Sequence, residues 1–368
     1  MSFDVKKLVR KEVLQFEPYI PGKPIAELKR EFNVETVYKL ASNENSVGAS
    51  RKSIEKLRKI LDDIHRYPDS ICFDLRKILA EKLQVNQNNV LFGNGSDEII
   101  EILGKTFLNY GDEIVTSEHS FVRYKMSADL MGGITRTAKM TKDLVVDCDE
   151  ILKLITAKTK LIFIGNPNNP TGTYIKKADF EKFMQKVPDD VLVVMDEAYY
   201  EFANENADYP DTMQMQSKYK NIIILRTFSK LFGLAGLRVG YMIADKEIVS
   251  VVDRIRPPFN VNIIAQAVAI ESLYDAEHTE KTLKLISDGK KFLYQEFEKL
   301  DIKYLPTAAN FILFKAKFGG RKVFQDLLKK GVIIRAVDEY DLADYARVTI
   351  GTQEENENFV KALKEITN

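Results

Sequence analysis

At 368 residues the chain is long enough for about two domains, and 45% hydrophobic with 29% charged residues is the balance of an ordinary globular protein. Lys+Arg 54 matches Asp+Glu 54, so no whole-protein basic field exists to recruit nucleic acid or an anionic membrane. Cys72 and Cys148 form no CxxC pattern and His65, His119 and His278 are scattered, which argues against a disulfide framework, a metal site or a Ser-His-Asp centre. The N-terminal stretch mixes acids, bases and isolated apolar residues instead of the continuous apolar core of a signal peptide. Nothing elsewhere approaches the ~18 consecutive apolar residues of a membrane span, so a cytoplasmic protein is expected.

In chain order, one pattern repeats from residue 90: a short apolar run, a polar turn, then helical spacing. Val90–Phe92 leads into Gly93–Glu98, and Glu113–Val115 into Thr116–Ser120. Leu161–Ile164 leads into Asn166–Gly172, Val191–Met195 into Asp196-Glu197, and Ile222–Leu225 into Arg226–Lys230. Runs with apolar residues at successive positions suit strands covered on both faces, and their alternation with helices predicts an α/β doubly wound, mostly parallel sheet. Ligands of such sheets bind beyond the carboxyl ends of the strands, where the unusual polar residues of this chain fall. After residue 255 Arg256-Pro257-Pro258 breaks the pattern. A long helical stretch is expected over 263–300, then strands at Asn310–Phe314 and Arg347–Ile350 flanking a helix near 321–330. The expected organisation is a large domain over 41–255, a smaller α+β domain over 256–368, and an N-terminal arm of residues 1–40 associated with the small domain.

Four segments carry chemistry. In Thr227–Arg238 a lysine follows a buried strand among apolar residues and glycines, where desolvation lowers an amine's pKa and makes it a nucleophile. Ser229 and Arg238 could reach one anion together. Asp196 ends an apolar strand at the floor of the expected crevice, where a buried carboxylate needs a cationic partner; Tyr199 is expected on the same side of a helical turn. Gly93–Glu98 places glycines between a strand and a helix, offering the amides of Ser96 and Asp97 to an anion. Glu98 stands where a dinucleotide fingerprint needs its third glycine, and no GK[ST] follows, so nucleotide binding ranks low. Asn166–Gly172, with two prolines and a glycine, is a constrained turn that leaves its Asn side chains as polar probes.

In this order and spacing the segments resemble the fold-type-I pyridoxal-phosphate aminotransferases, and more narrowly the histidinol-phosphate aminotransferase family. The likeness runs from Pro18-Tyr19 and Leu40–Asn45 through Tyr67-Pro68-Asp69 to Arg256–Val261 and Arg347–Thr352. It implies that Lys230 carries pyridoxal 5'-phosphate as a Schiff base and later shuttles a proton, with Asp196 on the ring nitrogen and Asn169 and Tyr199 on the ring oxygen. Lys230, Asp196 and Tyr199 are then the expected catalytic set. Phe121 would stack on the ring, Ser96, Asp97, Ser229 and Arg238 would hold the cofactor's phosphate end, and Thr227 is a further expected cofactor-binding residue. Tyr67 resembles a tyrosine that reaches the neighbouring subunit's cofactor, implying a homodimer. Arg347 would grip the carboxylate of the amino donor, while Tyr19, Asn43 and Arg335 would meet the substrate's phosphate or backbone. The chain departs from the family at His119-Ser120-Phe121, where Pro-Thr-Tyr is frequent, and at Ser46, where a proline often follows the Asn.

The activity implied is amino transfer between L-histidinol phosphate and 2-oxoglutarate in histidine biosynthesis. The rivals on the same fold are an aromatic-amino-acid aminotransferase and a phosphothreonine decarboxylase. A regulator with an inert aminotransferase-like domain would need a basic nucleic-acid module, and none is seen.

Overall fold

A computed structural model describes residues 3–16, 27, 30–31 and 34–367. In chain order its strands are β1 (Tyr38–Lys39), β2 (Val90–Gly93), β3 (Glu113–Ser117), β4 (Ile134–Ala138), β5 (Thr159–Gly165) and β6 (Leu192–Asp196), followed by β7 (Ile222–Thr227), β8 (Gly240–Ile243), β9 (Phe311–Lys315), β10 (Val332–Ile333), β11 (Arg335–Ala336) and β12 (Tyr345–Thr349). Seven of them form one sheet in the order β2-β8-β7-β6-β5-β3-β4. Side chains alternate across it: Val193, Met195, Ile222 and Ile224 enter one core, while Val194, Ile223 and Leu225 enter the core on the other face. That two-sided burial is why these strands read as unbroken apolar runs.

The sheet is parallel except for β8, which runs antiparallel to both β2 and β7. Between β7 and β8 the segment 228–239 contains Gly233 and Gly236 and forms only the short turn Ala235–Leu237. Without a crossover helix the chain must return antiparallel. This tight return holds Lys230 and Arg238 at the strand ends.

A second unit surrounds a three-stranded antiparallel sheet, β11-β12-β9, and the parallel pair β1-β10. The helical stretch expected over 263–300 is two helices, Ile263–Leu273 and Ala276–Lys299, broken where Asp275 caps the second by accepting from His278 N at 3.3 Å. Val261, Ala265, Val268 and Ala269 pack in the core of the large sheet, whereas Ile286, Leu293 and Phe297 pack in the second core. The change of core thus falls near Tyr274, beyond the residue 256 expected from the proline break. The N-terminal arm is divided too. β1 pairs with β10 of the second unit, but Arg10 donates to Leu130 O at 2.7 Å and Lys11 to the Tyr110 hydroxyl at 3.1 Å, on the large-sheet side. Among the described residues no helix is long and apolar enough to cross a membrane.

Candidate active site

The carboxyl ends of β5, β6 and β7 and the helix starting at Gly95 meet the second unit around a cavity of about 290 Å³. Every site residue expected from the sequence lines it except Tyr19 and Tyr67. Tyr19 lies outside the described residues. Tyr67 stands away from the cavity of its own chain, 82% exposed and stacked on Phe259 with ring centroids 4.7 Å apart.

Asp196 closes β6 and is 6% exposed. The Tyr124 hydroxyl donates to its Oδ2 at 2.7 Å and the Ala198 amide to its Oδ1 at 3.2 Å. Burial pushes the carboxyl up to about 6 against the pull of these two donors. Tyr199 does not share a helical turn with Asp196. Residues 197–199 form a turn ahead of the short helix Tyr200–Ala203, and this turn brings the Tyr199 hydroxyl to Asn43 Nδ2, which donates at 2.8 Å. Asn43 itself sits at φ 55°, a left-handed conformation that Asn tolerates better than most side chains. Its backbone amide donates to Thr349 Oγ1 at 2.9 Å and its carbonyl accepts from Asn310 Nδ2 at 3.1 Å, tying this wall to the second unit.

Lys230 Nζ donates to Ser42 O at 3.2 Å and lies 5.6 Å from the centroid of the Tyr199 ring. Burial, reinforced by the Arg347 guanidinium, brings its amine down to about 8. An ordinary lysine is almost wholly protonated near neutrality; this one is roughly one-tenth free amine at pH 7.

At one end of the cavity the helix Gly95–Phe107 begins with Gly95 at φ +76°. A Cβ there would lie 2.5 Å from Arg238 Nη2, and one at Gly240 would lie 2.6 Å from Ser96 N. Gly95 thus leaves room for the guanidinium at the helix N-terminus, and Gly240 lets that helix N-terminus sit against the strand. Arg238 Nη2 is 3.8 Å from Asp97 Oδ2, while Asp97 Oδ1 is buried without a hydrogen-bond partner. Thr227 Oγ1 donates to Ser229 Oγ at 3.0 Å beside them.

The other end is cationic. Arg347, on β12, donates through Nη2 to Ala41 O at 2.7 Å and through Nη1 to Asn169 Oδ1, and its Nε is buried without a partner. Arg335 faces it in the β11–β12 register and holds Glu339 Oε1 through Nε at 3.2 Å and Nη2 at 2.5 Å.

Sequence reasoning missed three contributors. Tyr124 lies one helical turn after Phe121, and that spacing was the signal available. Tyr340 lines the cavity and its carbonyl accepts from His119 Nδ1. Behind the site Arg226 Nε donates to the fully buried Glu197 at 2.9 Å, with its guanidinium 3.5 Å from the Tyr200 ring centre. Burial pulls Arg226 down, but the Glu197 carboxylate holds it above the usual range.

A lysine whose amine is lowered to about 8, a buried carboxylate and two arginines thus line one cavity. Residues 35–363 match the family model "Aminotransferase class I and II", and the chain belongs to that family. It is 46% identical to the histidinol-phosphate aminotransferase of Moorella thermoacetica over 97% of this chain and 92% of that one. It is 43% identical to the protein of the same name from Caldicellulosiruptor saccharolyticus, over 98% and 100% of the two chains. Among solved structures it resembles histidinol-phosphate aminotransferase from Sinorhizobium meliloti in complex with pyridoxal-5'-phosphate. The TM-score is 0.86 at 25% identity, covering 96% of this chain and 97% of that one.

Proposed function

We propose that this aminotransferase moves an amino group between L-histidinol phosphate and 2-oxoglutarate, giving imidazole acetol phosphate and L-glutamate in histidine biosynthesis, with pyridoxal 5'-phosphate as cofactor. The observation that carries the reading is Lys230, an amine lowered to about 8, in one cavity with Asp196 at its floor and Arg335 and Arg347 at its far end. The residues fit such a cofactor. Gly95 and Gly240 clear a cradle at a helix N-terminus beside Arg238, which suits a phosphate, and among the described residues buried Asp196 is hydrogen-bonded by neutral donors, the Tyr124 hydroxyl and the Ala198 amide, which suits a protonated ring nitrogen.

When bound, the cofactor supplies the electron sink that stabilises negative charge on the substrate's Cα. Lys230 would anchor it covalently and would hold the proton released from that Cα. Asp196 would keep the ring nitrogen charged, Asn169 and Tyr199 would bond the ring oxygen, and Phe121 would pack against the ring. Ser96, Asp97, Thr227, Ser229 and Arg238 hold the phosphate. Arg347 takes the carboxylate of the amino donor or oxo acid. Asn43 and Arg335, with Tyr19, meet the phosphate or backbone of histidinol phosphate. A site built from such fixed charges rejects analogues that leave them unpaired.

The two packing units act as a large and a small domain dividing near residue 275, so that the cavity lies between them. The working form is a cytoplasmic homodimer in which Tyr67 completes the neighbouring site, a reading supported by the exposure of the Tyr67–Phe259 pair.

Borohydride reduction followed by peptide mass spectrometry should find the pyridoxyl mass on Lys230; label elsewhere, or none, ends this reading. The yellow protein is then mixed separately with histidinol phosphate, phenylalanine, tyrosine and phosphothreonine. Bleaching by histidinol phosphate is expected. Ready bleaching by phenylalanine without it would reassign the substrate to the aromatic amino acids.

A further inference from the structure

Tyr124 is buried, with its ring stacked on Phe163 at a centroid distance of 5.1 Å and an interplanar angle of 8°. A phenol clamped in this way keeps its hydroxyl aimed, and here the aim is Asp196 Oδ2 at 2.7 Å. Tyr124 N also donates to Phe121 O at 3.1 Å, so the aromatic face of the cavity and the tether of its carboxylate stand together at the N-cap and first turn of one helix, Val122–Leu130. With Ala198 N on Oδ1, each carboxylate oxygen has one donor and its plane is set.

We propose that Tyr124 is a positioning residue that acts through Asp196: its hydroxyl orients the carboxylate and keeps it ionised before the cofactor arrives. The inference rests on the function proposed for this pocket and names a further member of its machinery. The groups facing Asp196 divide cleanly. Burial comes first in raising its pKa, and Asp97 on the helix Gly95–Phe107 and the adjacent Glu197 raise it further. The Tyr124 hydroxyl and the Ala198 amide oppose them, while Tyr199 close by stays a neutral phenol. Tyr124 is itself held well above the usual phenol range, by burial and then by Asp196, so it remains a donor at every working pH.

Tyr124→Phe keeps the ring and its stack and deletes the hydroxyl. In the cofactor-free protein, carboxyl-carbon NMR should show Asp196 titrating about one to two pH units higher in the variant, the scale of one hydrogen bond to a charged group. Fluorescence titration with pyridoxal phosphate should then give a Kd about fourfold weaker than the parent's at pH 7, converging on the parent's near pH 9, where both carboxylates are ionised. In an Asp196→Asn background the same substitution should have no effect on Kd at either pH. An unmoved Asp196 titration, a Kd ratio flat in pH, or an equal loss in the Asn background would overturn the proposal and make Tyr124 a packing residue. Circular dichroism checks that each variant folds. The borohydride label on the parent reports on the function separately. A shifted Asp196 titration without that label would sink the function and leave the Tyr124–Asp196 coupling standing.

Discussion

Replacing Asp196 by Asn should stabilise the cofactor-free protein, by an amount that depends on pH. Burial raises the carboxyl from 3.8 to about 6, so the folded chain binds this proton more tightly than the unfolded chain does. Keeping the group ionised in the fold therefore costs stability. The cost is complete above pH 6 and fades as the pH falls through 6 toward 4. A shift of roughly two units corresponds to about 3 kcal/mol at pH 8, and about half of that remains at pH 5. Asparagine keeps the shape while removing the charge, with its oxygen accepting from the Ala198 amide and its NH2 donating to the Tyr124 hydroxyl oxygen. With an unfolding entropy of about 2.1 cal/mol/K per residue over 368 residues, Tm should rise by about 4 °C at pH 8 and about 2 °C at pH 5. Scanning calorimetry of the cofactor-free parent and variant at the two pH values provides the test. Saturating pyridoxal phosphate should reverse the order, because in the proposed site only the parent pairs the charged ring nitrogen. A lower Tm for the variant at pH 8, or a gain that ignores pH, would refute the assignment of Asp196 as a desolvated anion.

Covalent capture of pyridoxal phosphate by the cofactor-free protein should quicken about tenfold from pH 7 to pH 9 and then level off, because the Lys230 amine lies near 8. An ordinary lysine would gain about a hundredfold over the same range and keep climbing; stopped-flow absorbance separates the two. Lys230→Ala should fold but lose turnover by several orders of magnitude, so near-normal steady-state transamination would defeat its assignment. Arg347→Lys should lower kcat/KM for 2-oxoglutarate by about a hundredfold, since one ammonium cannot both bind Ala41 O and present a fork to a carboxylate. Arg226→Met should destabilise the protein by about 3–5 kcal/mol in urea titrations by stranding the buried Glu197, and Arg226→Met with Glu197→Gln should recover most of that loss.

The strands of the large sheet were legible because burial on both faces writes itself into the chain as consecutive apolar residues, as at Ile222–Leu225. Lys230 and Asp196 were legible for a related reason. Asp196 ends such a strand and Lys230 lies three residues past another, so their depth is encoded by their neighbours. The direction of β8 could not be read, since it depends on segment 228–239 failing to form a crossover helix. The core joined by Ile263–Leu273 was equally hidden, because an apolar helix does not say which sheet it will meet.

The sequence by itself marked the polar residues at the ends of buried strands and roughly how deep they lie, since hydrophobic context is local along the chain. Tertiary structure alone decided which groups meet: Tyr124 with Asp196 across 72 positions, Arg347 with Asn169 across 178, and Asn43 with Tyr199 across 156. Hydrogen bonds and charges act through space over a few ångströms, and nothing in residue spacing specifies such a distance until the two cores have packed.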